Sequence, residues 1–278
     1  MIKESRQVLI IRFLVIGAFL VIYLFPLYWL LITALQPVGG WAGNRKPELI
    51  PDRISLESFI YIATRPNFVQ SYLNSTIVAL STTVVCTILA TMAGYGFSRF
   101  RFRGSEFITT AILFFQMFPA VLLVIPYFLM MRAAGLLSSH LALILAYTSF
   151  TLPFCIWMLI GYFNSIPHEL DECAMVDGAS RLQAFVTVIF PLAAPGIAAT
   201  ALYAFVGAWH EYLFSLVLAI RPDAALLPQA LASMVQEWDT LYEPMMAGAI
   251  LTVIPPILIY VFLGKYFVGG LTAGAVKG

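Results

Sequence analysis

Charge is what this sequence has least of. Charged residues make up 10% of its 278 positions, against about 25% in soluble globular domains, while 61% are hydrophobic. That scarcity excludes a water-facing surface over most of the chain. The charge present is nearly balanced, 15 basic against 14 acidic residues, with no basic tract, so no nucleic-acid partner is expected. Cysteine is sparse too: Cys86, Cys155 and Cys173 are scattered, the first two inside apolar segments, which excludes a disulfide framework or zinc spacing. His140, His168 and His210 lie in three separate segments with no nucleophile pattern beside them, so a membrane-embedded enzyme lacks convergent catalytic groups. A phosphate-binding loop is missing as well. The Gly264-Lys265 pair is followed by Tyr266 and lacks the upstream spacing such a loop needs. No soluble domain, internal repeat or low-complexity tract is evident.

What is there is long hydrophobic runs. A helix crosses the hydrocarbon core with about 20 apolar residues, and the pattern predicts six spans, at about 13–35, 72–97, 107–131, 141–163, 193–220 and 245–263. The first contains Pro26, tolerable in a membrane helix. Its run is too long for a signal-peptide core and no small-residue cleavage site follows, so it reads as a retained anchor. Six spans place both termini on one side. Lys3, Arg6 and Arg12 precede span one, Arg99, Arg101 and Arg103 crowd the short link after span two, and Arg181, Lys265 and Lys277 share that side. The opposite side carries Arg45, Lys46, Arg53, Arg65, Arg132 and Arg221. By the positive-inside rule both termini are cytoplasmic. The expected organisation is a cytoplasmic N-terminus at 1–12, a multi-pass transmembrane domain at 13–268 with the cytoplasmic stretch 166–191 inside it, and a cytoplasmic tail at 269–278.

The longest polar-rich stretch runs from Ile166 to Pro191. Pro167 suits a helix first turn, and Glu169, Asp171 and Glu172 follow where the helix dipole favours carboxylates. Gly178 can take the left-handed conformation that ends such a helix. Ser180 can cap a second one, with Leu182, Phe185, Val186 and Ile189 on one apolar face, stopped by Pro191. The stretch predicts two short helices at the membrane surface, a docking element; an ordinary helical loop is the plainer alternative.

Within it, Glu172-Cys173-Ala174, three residues, Gly178, then Val188, Phe190 and Pro191 resemble the coupling motif of permease subunits of binding-protein-dependent ABC importers. That motif reads Glu-Ala-Ala, three residues, Gly, nine residues, Ile, one residue, Leu-Pro. The spacing is kept, with Cys173, Val188 and Phe190 replacing Ala, Ile and Leu. The ending Gly270-Leu271-Thr272-Ala273-Gly274-Ala275-Val276-Lys277-Gly278 is similar to the tail of the MalG-type subunits of carbohydrate importers. By sequence physics alone it would be a frayed terminus. The whole length thus resembles a MalG-type permease of the binding-protein-dependent transport system inner membrane component family.

The resemblance implies an all-α, six-span, MetI-like type I importer permease in the inner membrane. It implies a second, MalF-like permease subunit, an ATPase homodimer or heterodimer holding ATP and Mg²⁺, and an extracytoplasmic sugar-binding protein met by the outer loop 221–243. This chain itself would hold no cofactor or metal. Glu172, Ala174, Asp177, Gly178, Ala179 and Pro191 would couple to the ATPase, and Leu271, Thr272, Gly274, Lys277 and Gly278 would reach between its subunits.

Inside the spans, Trp209-His210-Glu211-Tyr212 is the exception to an uncharged interior. Intramembrane acids are costly and kept for a reason. These four either line a substrate path or gate, or hydrogen-bond a neighbouring helix as polar glue. The stretch also resembles the Trp-Asn-Glu/Asp segment of sugar permeases, with His210 in place of Asn. An ion-coupled secondary transporter using Glu211 is the alternative function. Tyr127, Phe128, Trp157, Tyr203 and Trp209 could stack on sugar, or simply pack and form an interfacial belt. Gly94, Gly96 and Gly161 read as close helix packing. Malto-oligosaccharide, trehalose, another disaccharide, a polyol and a glycerol phosphate ester all remain open as cargo.

Overall fold

The computed structural model describes residues 6–39, 49–50, 53–235 and 240–275, and every regular element among them is helical. In a bilayer each backbone N–H and C=O must be satisfied within its own segment, which long apolar runs achieve as helices. In order these are α1 (Arg6–Ala34), α2 (Glu57–Ala63), α3 (Pro66–Arg99), α4 (Ser105–Gln116), α5 (Ala120–Ala133), α6 (His140–Asn164), α7 (Glu169–Val176) and α8 (Arg181–Ala184). A π turn (Phe185–Ile189) leads into α9 (Phe190–His210), followed by α10 (Leu213–Leu218), a 3₁₀ turn (Pro222–Ala224), α11 (Leu227–Ala232) and α12 (Tyr242–Ala275).

Five of these stretches are long and apolar enough to cross a membrane, six if α4 and α5 count as one broken span. The expected third span is not a single rod. α4 and α5 meet at 96°, because Pro119 takes an extended conformation (ψ 118°) ahead of α5 and a proline disfavours helix at the residue before it. The last amides of α4 tighten into i−3 bonds, Met117 N to Phe114 O and Phe118 N to Phe115 O. Gln116 Nε2 donates to Phe150 O at 3.0 Å and braces the corner against α6.

Two further expectations are corrected. The helix that carries the expected fifth span is continuous from Arg181, not from Ala193, to His210; it then breaks at Glu211, whose ψ is 123°, before α10. Pro191 does not end the preceding helix. The π turn, with Phe190 N donating to Phe185 O, widens the helix ahead of the proline ring, which would otherwise clash with the carbonyl four residues back.

The chain divides into two compact units, Met1–Val69 with Leu231–Val253, and Gln70–Ala230 with Ile254–Gly278. In the first, α1 holds an apolar surface that is exposed on nearly every side from Phe13 to Leu27, as a lipid-facing helix does. Ser55 N to Leu35 O (2.7 Å) and Ser58 Oγ to Gln36 O (3.1 Å) tie its end to the approach of α2. In the second, Cys86 and Ala90 of α3, Cys155, Leu159 and Phe163 of α6, and Ile189, Ala193 and Ala204 form one buried cluster. Small residues let the helices approach: a Cβ on Gly94 would lie 2.8 Å from Leu159 Cβ, and one on Gly196 2.3 Å from the Tyr162 ring. At the far end, Asn74 Nδ2 donates to Asp223 O (2.8 Å) and Ala225 O (3.0 Å). His140 Nε2, 3.0 Å from Asn74 Oδ1, must then be the donor, so α3 and α6 together hold the turn after α10.

Candidate functional site

The polar stretch 166–191 is built as a helix, a turn and a helix. α7 starts with Glu169, Asp171 and Glu172 in its first turn. It ends where Ala179 N donates to Ala174 O and Gly178 N to Met175 O, with Gly178 at φ +94°, a conformation that costs glycine nothing. Ser180 and Gln183 then form a reciprocal capping box, Gln183 N to Ser180 Oγ at 3.3 Å and Ser180 N to Gln183 Oε1 at 2.8 Å, satisfying two orphan donors of α8. The expected apolar face is split. Phe185 and Ile189 turn inward with Ala184 and Val188, while Leu182 and Val186 face out, because the π turn adds a residue and rotates the register. Val176 (86% exposed) and Leu182 (72%) leave apolar knobs on the outer face of the element. Glu172 and Asp177 are exposed, as is Pro191 at the start of α9, with Ala174 and Ala179 half-buried.

The acid that turns inward is Asp171, not Glu172. Its Oδ2 takes a hydrogen bond from Arg99 Nε at 2.7 Å and its Oδ1 one from Tyr95 Oη at 2.9 Å. Both ionic side chains are buried, 5% and 10% exposed. Arg99 also donates through Nη1 to Phe163 O (3.0 Å) and through Nη2 to Ile166 O (3.0 Å), placing a cation on the carbonyls that close α6. One guanidinium therefore joins the ends of α3, α6 and α7. Beside it lies a cleft of about 150 Å³ edged by His168, Glu172 and Arg181, with the Arg181 guanidinium 5.3 Å above the Phe100 ring. α8 reaches the membrane differently, as the first turns of the rod that becomes α9.

A second site lies among α4, α5, α6, α9 and α10, a cavity of about 790 Å³. Of the four residues singled out from sequence, only Glu211 lines it. Trp209 is buried, edge-on to Tyr72 and stacked on Phe205. His210 and Tyr212 are exposed, and His210 Nδ1 bonds Val206 O within its own helix. The Glu211 carboxylate accepts from Phe214 N (3.0 and 3.1 Å) and Ser215 N (3.3 Å). It caps the first turn of α10 after the break, a role neither sequence alternative anticipated.

Other residues went unmarked. Arg99 read only as a topology signal and Asp171 as one of three first-turn acids; nothing local distinguishes it from Glu172. Gln116 carried no signal, since its partner carbonyl is 34 residues away. In the tail, Leu271, Thr272 and Gly274 fall on the last turns of α12 with their side chains outside the described part, and Lys277 and Gly278 lie outside the described residues. Among the described residues, no group of acids, histidines or cysteines is placed to hold a metal.

The profile of the family described as binding-protein-dependent transport system inner membrane component matches residues 84–272. The chain is 34% identical over 265 residues to the inner membrane ABC transporter permease protein YcjP of Escherichia coli, covering 95% of this chain and 94% of that one. It is 33% identical over 270 residues to the trehalose/maltose transport system permease protein MalG of Thermococcus litoralis, covering 95% and 96%. It is 35% identical over 257 residues to the trehalose transport system permease protein SugB of Mycobacterium tuberculosis, covering 92% and 93%. A solved bacterial ABC transporter involved in the import of the acidic polysaccharide alginate superposes at TM-score 0.80 and 26% identity, over 96% of this chain and 100% of that one. With its all-α, multi-span architecture of the MetI-like kind and a surface helix–turn–helix carrying the motif, the chain belongs to the binding-protein-dependent transport system inner membrane component family, as a multi-pass inner-membrane permease subunit and not a catalytic domain.

Proposed function

We propose that this chain is the MalG-type permease of an ATP-driven sugar importer, forming the path with a second, MalF-like subunit and taking its motion from a cytoplasmic ATPase dimer. The observation that carries the reading is the docking element. A capped helix pair presents Glu172 and apolar knobs outward, yet is fastened inward through Asp171 and Arg99. The sugar class rests on the trehalose and maltose relatives. Both termini and the docking element face the cytoplasm, and a sugar-binding protein meets the outer turn after α10.

Glu172 pairs with a basic group of the ATPase, while Ala174, Gly178 and Ala179 permit close approach and Asp177 shapes the turn. ATP and Mg²⁺ sit on the ATPase, and the tail residues Leu271, Thr272, Gly274, Lys277 and Gly278 reach between its subunits. When the ATPase closes, the push divides. α7 carries it into α3 and α6 through the Arg99 hub, and α8 carries it into α9 past Pro191, because packed elements shift between discrete arrangements rather than deform smoothly. The ion-coupled alternative built on Glu211 falls with family membership.

The test is Glu172→Lys in the complete importer in proteoliposomes. We expect normal assembly, loss of uptake, and ATP hydrolysis no longer stimulated by loaded binding protein. Unchanged coupling with normal assembly would falsify the role of Glu172, and gradient-driven uptake by this chain alone, without ATP, would overturn the importer.

A further inference from the structure

We propose that the cavity beside Glu211 is a saccharide subsite contributed by this chain, and that its wall takes an uncharged sugar and disfavours an anionic one. The inference rests on the importer reading and goes on to name which cargo chemistry this subunit accepts. At about 790 Å³ the cavity falls within the range of small-molecule sites, roughly 300–1,000 Å³.

Two kinds of group converge on it. Tyr127, Phe150 and Phe214 form an aromatic cluster with ring centroids 4.8 to 5.5 Å apart, and Tyr203 of α9 also lines the cavity. Such faces suit the C–H faces of a pyranose ring. Several of the polar groups can accept a ligand hydroxyl. Tyr127 Oη donates to Ser149 Oγ at 2.5 Å and Ser149 Oγ donates on to Ala146 O at 2.6 Å, so the phenol oxygen keeps its lone pairs for a ligand hydroxyl. Gln116 gives one amide N–H to Phe150 O and keeps its carbonyl and a second N–H. Glu211 receives the amides of Phe214 and Ser215 and lies against the Tyr147 hydroxyl; a carboxylate with about four lone-pair sites can still accept from a ligand.

The charge inventory sets the specificity. Among the described residues, Glu211 is the sole acid lining the cavity, and no lysine, arginine or histidine lines it. Hydroxyl donors are welcomed; a carboxylate, sulfonate or phosphate on the sugar meets a negative charge and finds no cation. The repulsion from one unit charge a few ångströms away, partly screened, is worth about tenfold or more in occupancy.

Gly207 gives a probe of this wall. It lines the cavity one helical turn before Glu211, and a Cβ there meets nothing within 4 Å. Gly207→Cys is placed in a Cys173→Ser background, which leaves the buried Cys86 and Cys155, and assembled into the complete importer in proteoliposomes. The rates of modification by a trimethylammonium and a sulfonate methanethiosulfonate reagent are compared, each normalised to a free thiol. We expect the cationic reagent to be favoured about tenfold, with Glu211→Gln, which keeps a capping oxygen, bringing the ratio near one. Maltose or trehalose, delivered by the loaded binding protein with ATP, should slow the modification, and a uronate-bearing disaccharide should not.

No cationic preference, or an equal one in Glu211→Gln, overturns the electrostatic wall even if sugar is imported. A cationic preference without protection by any imported sugar overturns the subsite. A cationic preference in an importer that carries no saccharide at all overturns the sugar reading itself, and the subsite with it.

Discussion

At the scale of single residues, the ion pair of Arg99 and Asp171 is the contact most exposed to test. Both side chains are withdrawn from water, so removing one leaves the other charged and unpaired, at a cost of about 3–5 kcal/mol. Arg99→Ala should therefore lower the unfolding midpoint of the detergent-solubilised complex sharply. Arg99→Met with Asp171→Leu should recover much of the loss, since an apolar pair removes both charges together. If the double substitution restores stability but not transport, the pair transmits motion as well as holding shape. Gly196 gives a steric test. Gly196→Ala places a methyl 2.3 to 2.7 Å from Tyr162 ring carbons, and overpacking of this sort costs about 1–3 kcal/mol. Tyr162→Ala alongside it should relieve the clash, read out as a partial return of the melting temperature.

At the scale of elements, the docking unit depends on the turn at Gly178 between two differently anchored helices. Alanine at φ +94° is strained, and Gly178→Ala should destabilise by about 1–2 kcal/mol. Because α7 and α8 both meet at this turn, the same variant should also reduce uptake per ATP hydrolysed, measured in proteoliposomes. A fall in stability with the ratio unchanged would make the turn merely architectural. The corner between α4 and α5 and the break at Glu211 belong together at this scale. Each interrupts a span and frees backbone groups; Glu211 accepts the freed amides of α10, whereas Gln116 bonds the Phe150 carbonyl of α6 and braces its corner from outside. Both side chains line the same cavity, in keeping with irregular backbone at membrane depth being tolerated where it lines one.

At the scale of the whole molecule, orientation in the membrane decides whether the docking element faces its motor. Cys173, next to Glu172, is exposed while Cys86 and Cys155 are buried, so the native chain carries its own topology probe. A membrane-impermeant thiol reagent should leave Cys173 unlabelled in intact cells and label it in inverted vesicles lacking the ATPase. Bound ATPase should protect it. Labelling from outside intact cells would put the element on the wrong face and end the coupling mechanism.

Membership of a multi-span helical class, the Ser180 cap and the left-handed turn at Gly178 were legible from the chain alone. Run length, proline and glycine positions and first-turn acids act locally, on residues a few positions apart. Tertiary structure alone decided which of three neighbouring acids turns inward, since the partner of Asp171 is 72 residues away. It also decided that Phe185 and Ile189 pack while Leu182 and Val186 do not, and that Glu211 caps a helix at the rim of a cavity. In a water-soluble protein, polarity marks the outer face of each helix. Here lipid-facing and core-facing residues are both apolar, so the pattern along the chain shows that a helix exists but not which side of it meets its neighbours.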